Sequence, residues 1–323
     1  MGIARFFLAL LVLTSHSTVN TFGFQIGVSA VICFFIISGY LNTLLINKYY
    51  NEKNLNQILS YYKDRLFRIC PQFFFYFIII VIINYYLNIF EINLFHILLN
   101  IPIISLGYSM ILDNLTGTKF IFVNPPTWSL GLELTFYLLI PFILKFSKNK
   151  IIYFFFISLV FYLSAFFLRS DYNEYFVYRL IPGTMFIFLI GSFLYYKESS
   201  HLIIIRIILV IFVILFSLIS ITGNYYMLQY NRDVIIGVIF GIIILNFTKD
   251  LRITKIDKFL GDLAYGIFLN HYFIFQIIRE YYSFRGFLEL VLTIILSALF
   301  SFVSYNLIEK PALNIRKKIR YKI

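Results

Sequence analysis

Residues 73–90 read FFFYFIIIVIINYYLNIF, and residues 203–221 read IIIRIILVIFVILFSLISI. The first holds no charged residue and the second holds only Arg206. A bilayer core about 30 Å thick is crossed by roughly 20 helical residues at 1.5 Å each, and only a helix or a closed barrel satisfies its backbone there. Both stretches fit a spanning helix. The rest of the chain follows: of 323 residues, 61% are hydrophobic, 21% aromatic and 13% charged. Soluble domains average about 45–50% apolar and roughly 25% charged residues. So little charge cannot cover the surface of a water-soluble fold of this length. The expected class is all-α, a polytopic transmembrane helix bundle.

Ten candidate spans follow from the apolar pattern: 3–18, 26–47, 72–90, 129–145, 151–168, 179–196, 202–221, 234–248, 260–280 and 287–308. Residues 92–112 are interrupted by Asn93, His96, Asn100, Pro102 and Gly107. That segment is expected to be interfacial or re-entrant rather than an eleventh span. The basic residues test this count. With ten spans, Lys119, Arg169, Arg179, Arg232, Arg279 and Arg285 fall outside, and the other 21 of the 27 Lys and Arg fall inside. An eleventh span would move Lys145 and every later base to the opposite side. Retention of Lys and Arg in the cytoplasm therefore selects ten spans with both termini cytoplasmic.

Residues 1–323 are expected to form one integral-membrane domain with no appended soluble domain. The net charge of +12 does not point to nucleic acid, because the bases lie between apolar segments and not along one soluble face. Cys33 and Cys70 lack a CxxC or Cys/His pattern and read as isolated thiols, so neither a disulfide framework nor a metal site is expected. The N-terminal MGIARFFLALLVLTSHS has the layout of a secretory signal, but no A-x-A-like cleavage site follows and it is counted as the first span.

Ionisable side chains are costly in a bilayer and usually face a cavity or a partner. His16, Glu133 and His271 stand out, with Arg5 and Glu309 at helix ends. Arg5 and His16 are eleven residues apart, close to three helical turns, so they share one face with roughly 16 Å between them. Anchoring for Arg5 and helix packing for His16 are the competing roles. His271 lies at a similar depth in a span of the same direction, and a histidine pair suits proton transfer near neutral pH. Asn270 beside it suits a helix–helix hydrogen bond. Glu133 follows Pro125, Pro126 and Trp128 in NPPTWSLGLELTFYLLIP, where a first-turn carboxylate is also favoured by the helix dipole. Arg65 and Arg68 in KDRLFRICP share a face and suit a phosphate or diphosphate, or serve as ordinary cytoplasmic charge.

Taken in order, these segments resemble the acyltransferase-3 family of integral-membrane acyltransferases over essentially the whole chain. Arg5 through His16 resembles its Arg-x10-His helix, and GVSAVICFFIISGYL (27–41) its second helix. RLFRICP (65–71) is similar to the Arg-x-x-Arg-x-x-Pro segment and TWSLGLELTFYLLIP (127–141) to the Trp-Ser-Leu-x-x-Glu helix. LGDLAYGIFLNHYFIF (260–275) resembles the Tyr-x-x-x-Leu-x-His helix, and SYNLIEKP (304–311) the closing Glu-x-Pro. Ser29 stands where members often carry an acidic residue, and Ala264 where they often carry serine. Neither departure touches an Arg or His position.

The resemblance implies transfer of an acyl group, most often acetyl, from cytoplasmic acyl-CoA to a hydroxyl of a glycan or lipid-linked glycan. The setting would be a bacterial inner membrane. It implies catalytic roles for His16, Arg5, Glu133 and His271, and acyl-CoA binding by Arg65, Arg68 and Arg5. Acyl-CoA would be a co-substrate, with no permanently bound cofactor. The competing class is an exporter of glycans or small solutes, in which His16, His271 and Glu133 would relay protons.

Overall fold

The computed structural model describes residues 1–323 except 20, 22, 51–53, 88–92, 118–119, 147, 169–173, 223–228, 283 and 322–323, and omits the side chains of 148–149, 166–168, 229 and 321. Lys53, Lys119, Arg169, Lys322 and the Lys148 side chain enter the charge count but lie outside the described residues, as do the end of span 72–90 and the start of 92–112. Among the described residues the fold is helical throughout. In chain order the helices are α1 (Gly2–Ser15), α2 (Ile26–Tyr49), α3 (Leu55–Leu87), α4 (Leu94–Asn100), α5 (Ile103–Leu106), α6 (Ser109–Thr116) and α7 (Trp128–Ile143). They continue as α8 (Lys148–Leu168), α9 (Ile181–Tyr196), α10 (Ser199–Thr222), α11 (Gln229–Thr248), α12 (Lys255–Tyr282), α13 (Gly286–Ser304) and α14 (Lys310–Tyr321).

Among the described residues, seven helical stretches are long and apolar enough to cross a membrane. They are Ile26–Tyr49, Leu55–Leu87, Pro125–Ile143, Tyr175–Tyr196, Ser199–Thr222, Tyr230–Thr248 and Gly286–Arg320. The other three of the ten expected segments are present as helices of a different character. Gly2–Ser15 and Lys150–Ala165 are apolar but shorter. α12 has 28 residues but carries Asn270, His271, Gln276, Arg279 and Glu280. Along α10, Ile203, Ile207, Val210, Ile214 and Leu218 are exposed, a continuous apolar face suited to lipid and not to water. The protein is an integral membrane protein. The described part of the 92–112 segment, from residue 93, forms short helices of four to eight residues, none long enough to span. Pro102 caps α5 and Gly107 ends it.

The chain divides into two compact units. One comprises Thr21–Lys53 and Thr135–Arg252 and holds α2 and α8 to α11. Its helices meet through glycines. A Cβ on Gly39 would stand 1.8 Å from the Phe188 carbonyl oxygen, and one on Gly191 would stand 2.0 Å from that of Ile36. α2 and α9 therefore touch backbone to backbone, the close approach that small residues allow in membranes. Thr43 Oγ1 donates to Ser192 Oγ at 2.8 Å across the same seam. Cys33 is buried and free, and its thiol donates to the Gly237 carbonyl at 3.2 Å. Cys70 is also free. Gly39→Val is expected to lower stability by about 1–3 kcal/mol through overpacking. The midpoint of thermally induced loss of the monodisperse peak, in detergent, checks this.

The second unit comprises Gly2–Asn20, Asn54–Leu134 and Ile253–Ile323. α1 lies along α12, α12 packs on α13, and α14 packs on α3. Gly2 and Gly261 bring the first pair together: a Cβ on Gly261 would lie 2.7 Å from the Gly2 Cα. The Ile3 N–H donates to Asp257 Oδ1 at 2.9 Å. Every candidate site residue belongs to this unit.

Candidate active site

α1 runs parallel to α12, from Gly2 beside Asp257 and Gly261 to His16 beside His271. The shared face of Arg5 and His16 is the face turned to α12. Arg5 lies over Gly261, where a Cβ would stand 3.0 Å from its Nη2. The His16 and His271 rings are 5.4 Å apart, tilted by 35°, and the Tyr272 ring meets His16 edge-on at 5.3 Å. Ten residues of α12 separate Gly261 from His271, which places Arg5 and His16 about 15 Å apart along the axis.

His16 differs from expectation in one respect. The span read as 3–18 ends as a helix at Ser15, and His16 occupies the turn that follows. The cause is local: Thr14, Ser15 and Ser17 donate their hydroxyls to the carbonyls of Leu10, Val12 and Thr14 at 2.7–2.9 Å. Such back-bonding competes with continuation of a helix.

His271 is fully buried. Its Nδ1–H donates to the Ile267 carbonyl at 2.9 Å. A carbonyl only accepts, so this bond puts the proton on Nδ1 and leaves the Nε2 lone pair free for chemistry. Nε2 is buried and has no hydrogen-bond partner among the described residues.

Three residues that sequence reasoning did not assign to the site hold His16 in place. Arg279 donates through Nη2 to the His16 carbonyl at 2.6 Å and through Nε to Glu289. Glu289 also accepts from Thr18, from Oγ1 at 2.9 Å and from the backbone N–H at 3.3 Å. Thr18 Oγ1 in turn accepts from the Gly286 N–H at 2.7 Å. Glu289 is fully buried, so the turn after α1 is clamped to α12 and α13 by a buried ion pair. Glu289 carried the same signal as Glu133, a carboxylate at the start of an apolar helix.

Glu133 is half-buried in α7, and its charge acts on Arg5, together with those of Arg68, Asp262 and Asp257. Arg5 Nε is buried without a partner among the described residues. Arg68 forms an ion pair with Glu309 and lies over the Tyr265 ring at 5.2 Å. This joins two segments quoted above, RLFRICP and SYNLIEKP. Glu309 sits in a π turn, Tyr305–Glu309, between α13 and α14. Arg65 is buried and paired with Asp64. Asn270 behaves as a helix–helix link, donating to the Ser297 carbonyl and Tyr76 hydroxyl at 3.1 Å and to Ser301 Oγ at 3.2 Å. No group of three or more metal-ligating side chains occurs among the described residues.

Two adjacent imidazoles, one with an open buried nitrogen, and a cluster of arginines at the other end of the same helix pair form the polar interior of a membrane enzyme. The chain belongs to the acyltransferase-3 family, whose acyltransferase domain matches residues 1–306. Its similarity to individual proteins is uneven. A protein of Aquifex aeolicus (strain VF5) described as uncharacterized is 34% identical over 207 residues, covering 62% of this chain and 90% of that protein. The O-acetyltransferase OatA of Staphylococcus aureus (strain NCTC 8325 / PS 47) is 28% identical over 329 residues, covering 90% of this chain and 53% of OatA. The chain thus spans about half the length of OatA. No solved structure matches it.

Proposed function

We propose that this membrane acyltransferase carries out O-acetylation, moving an acetyl group from cytoplasmic acyl-CoA to a hydroxyl of a cell-surface or exported glycan. The observation that carries this is the His16–His271 pair held at the far end of the helix whose near end carries Arg5. The similarity to OatA supports the O-acetyl specificity. We place the protein in a bacterial inner membrane with ten spans and both termini in the cytoplasm, supported by the distribution of Lys and Arg.

In this mechanism Arg5, Arg65 and Arg68 hold the nucleotide phosphates on the cytoplasmic side, and the extended pantetheine arm reaches along α1 toward His16. The acceptor hydroxyl attacks the thioester carbonyl carbon, the C–O bond forms and the C–S bond breaks. His16 takes the hydroxyl proton as general base and returns it to the departing thiolate, giving CoA-SH and the acetyl ester. His271 Nε2 is the second proton acceptor in the pair, while the Arg279–Glu289–Thr18 clamp fixes the turn that carries His16. Glu133 supports Arg5 by charge. An acyl-imidazole on His16 is the covalent variant of the same step.

Purified protein in proteoliposomes, given acetyl-labelled acetyl-CoA outside and a glycan acceptor inside, is expected to deposit label in the glycan. A strain lacking the protein is expected to make surface glycan lighter by one acetyl increment per modified residue. Transport of glycan without label transfer would support the exporter class instead.

A further inference from the structure

α13 is apolar in composition, yet the residues it buries are all polar: Glu289, Thr293, Ser297, Ser301 and Ser304. Their spacing of three and four residues makes them one stripe along the helix. Leu299, Phe300, Phe302 and Val303 are exposed, a face suited to lipid. The stripe is turned to α12 and α3. Asn270 of α12 donates to the Ser297 carbonyl and to Ser301 Oγ. On α3, Gln72 Nε2 donates to Ser304 Oγ at 2.9 Å, and the Tyr76 hydroxyl bonds the same oxygen at 2.7 Å. Asn270 also donates to Tyr76, so these residues form one network.

That network does not satisfy itself. Gln72 Oε1, Asn270 Oδ1 and Ser297 Oγ are buried without a hydrogen-bond partner among the described residues, and the three residues are 1%, 3% and 0% exposed. Buried polar atoms left unpaired are costly, and polar residues inside a membrane bundle mark substrate pathways. Two of the three atoms are amide oxygens, which only accept, and the third is a hydroxyl, which donates or accepts. Their position is equally specific. At one end, Arg68 precedes Gln72 by one turn of α3, and its ion-pair partner Glu309 closes the π turn that follows Ser304. At the other end, Glu289 binds Arg279, which holds the His16 carbonyl. The unpaired atoms thus lie between the arginine end and the histidine end of the candidate site.

We propose that Gln72, Asn270 and Ser297 bind the pantetheine arm of the acyl donor, the chain of amides and a hydroxyl that joins the nucleotide to the thioester. The proposal rests on the acyl-CoA function above. Amide N–H groups of the arm donate to the Gln72 and Asn270 oxygens, and the Ser297 hydroxyl donates to an amide carbonyl. The arm then follows the seam of α12 and α13, alongside α1, and carries its thioester from Arg68 toward the histidine pair. A glycan acceptor does not account for the Gln72 end of the stripe, which opens beside Arg68. Water satisfies the same atoms without any preference for the donor, and that is the outcome to test against.

The test uses full-length protein in phosphatidylcholine nanodiscs, as wild type, Ser297→Ala and Ser297→Val. Calorimetry measures binding of CoA, of pantetheine and of 3′-phospho-ADP, the nucleotide half without the arm. Ser297→Ala removes a hydroxyl that has no partner, so its thermal midpoint is expected at or above that of the wild type. CoA and pantetheine are expected to bind it about three- to tenfold more weakly, the loss of one hydrogen bond, with 3′-phospho-ADP unchanged. Ser297→Val, which adds bulk as well, is expected to lose more of the arm's contribution. Ser297→Ala that binds CoA like the wild type overturns the proposal and leaves the stripe to water. Equal losses for CoA and 3′-phospho-ADP overturn it as well, since they reveal general damage. A wild type that binds CoA no more tightly than 3′-phospho-ADP shows that the arm is not held. A wild type that binds none of the three overturns the acyl-CoA function itself, and the role of the stripe with it.

Discussion

His16→Ala is expected to lower acetyl transfer by about two to four orders of magnitude, the range of a lost general base, with the protein inserted and at normal abundance. The structure explains why the fold should tolerate it. His16 stands in the turn beyond α1, and the contact that fixes the turn uses its carbonyl, bound by Arg279, which alanine retains. What is lost is the ring beside His271. His271→Asn is the matching variant: it keeps a donor near the Ile267 carbonyl and removes the position of Nε2. Residues acting as one unit are not additive. The His16→Ala/His271→Asn double variant should therefore be no slower than His16→Ala alone. Single-turnover label transfer in proteoliposomes measures all three. Transfer by His16→Ala at the wild-type rate would remove His16 from the chemistry.

The second large effect concerns the clamp behind His16. Glu289→Ala leaves the partly exposed Arg279 guanidinium without its counter-charge, an effect of about 1–3 kcal/mol on stability, read from the thermal midpoint in detergent. Arg279→Lys is the more discriminating change. It keeps a positive charge, but an ammonium lacks the fork that reaches Glu289 through one nitrogen and the His16 carbonyl through another. The expected outcome is a lower kcat with unchanged affinity for acyl-CoA, because His16 is displaced while Arg65 and Arg68 are untouched. Equal losses in kcat and in acyl-CoA affinity, tracking a lower thermal midpoint, would indicate a purely structural role for Arg279.

Much of this architecture was legible because polar residues are rare in apolar helices. Arg5, His16 and His271 stood out against their neighbours, and helical periodicity placed the first two on one face. That face proves to be the contact with α12. Asn270 as a helix link was equally readable. What could not be read was which distant residues meet. Thr18 and Glu289 are 271 positions apart, and Asp64 and Arg320 are 256 apart, so no local pattern joins them. The helix of α1 stops at Ser15, short of what its apolar length suggests, because the hydroxyls of Thr14, Ser15 and Ser17 bond back to preceding carbonyls. The polar residues of α12 also separate it from the seven strongly apolar stretches.

The parallel pairing of α1 with α12 has a consequence for how the protein is made. The first helix to leave the ribosome finds its partner only after more than 250 further residues have been synthesised. Until then Arg5 and His16 sit on a helix with no neighbour for its polar face, a state that favours early chaperoning by the insertion machinery or loose association with lipid. A nascent chain halted before α13 would lack Glu289 and could not clamp the turn at His16, however well the unit of α2 and α8 to α11 had formed. The histidine pair can therefore assemble only late in synthesis, once α12 and Glu289 of α13 have been made.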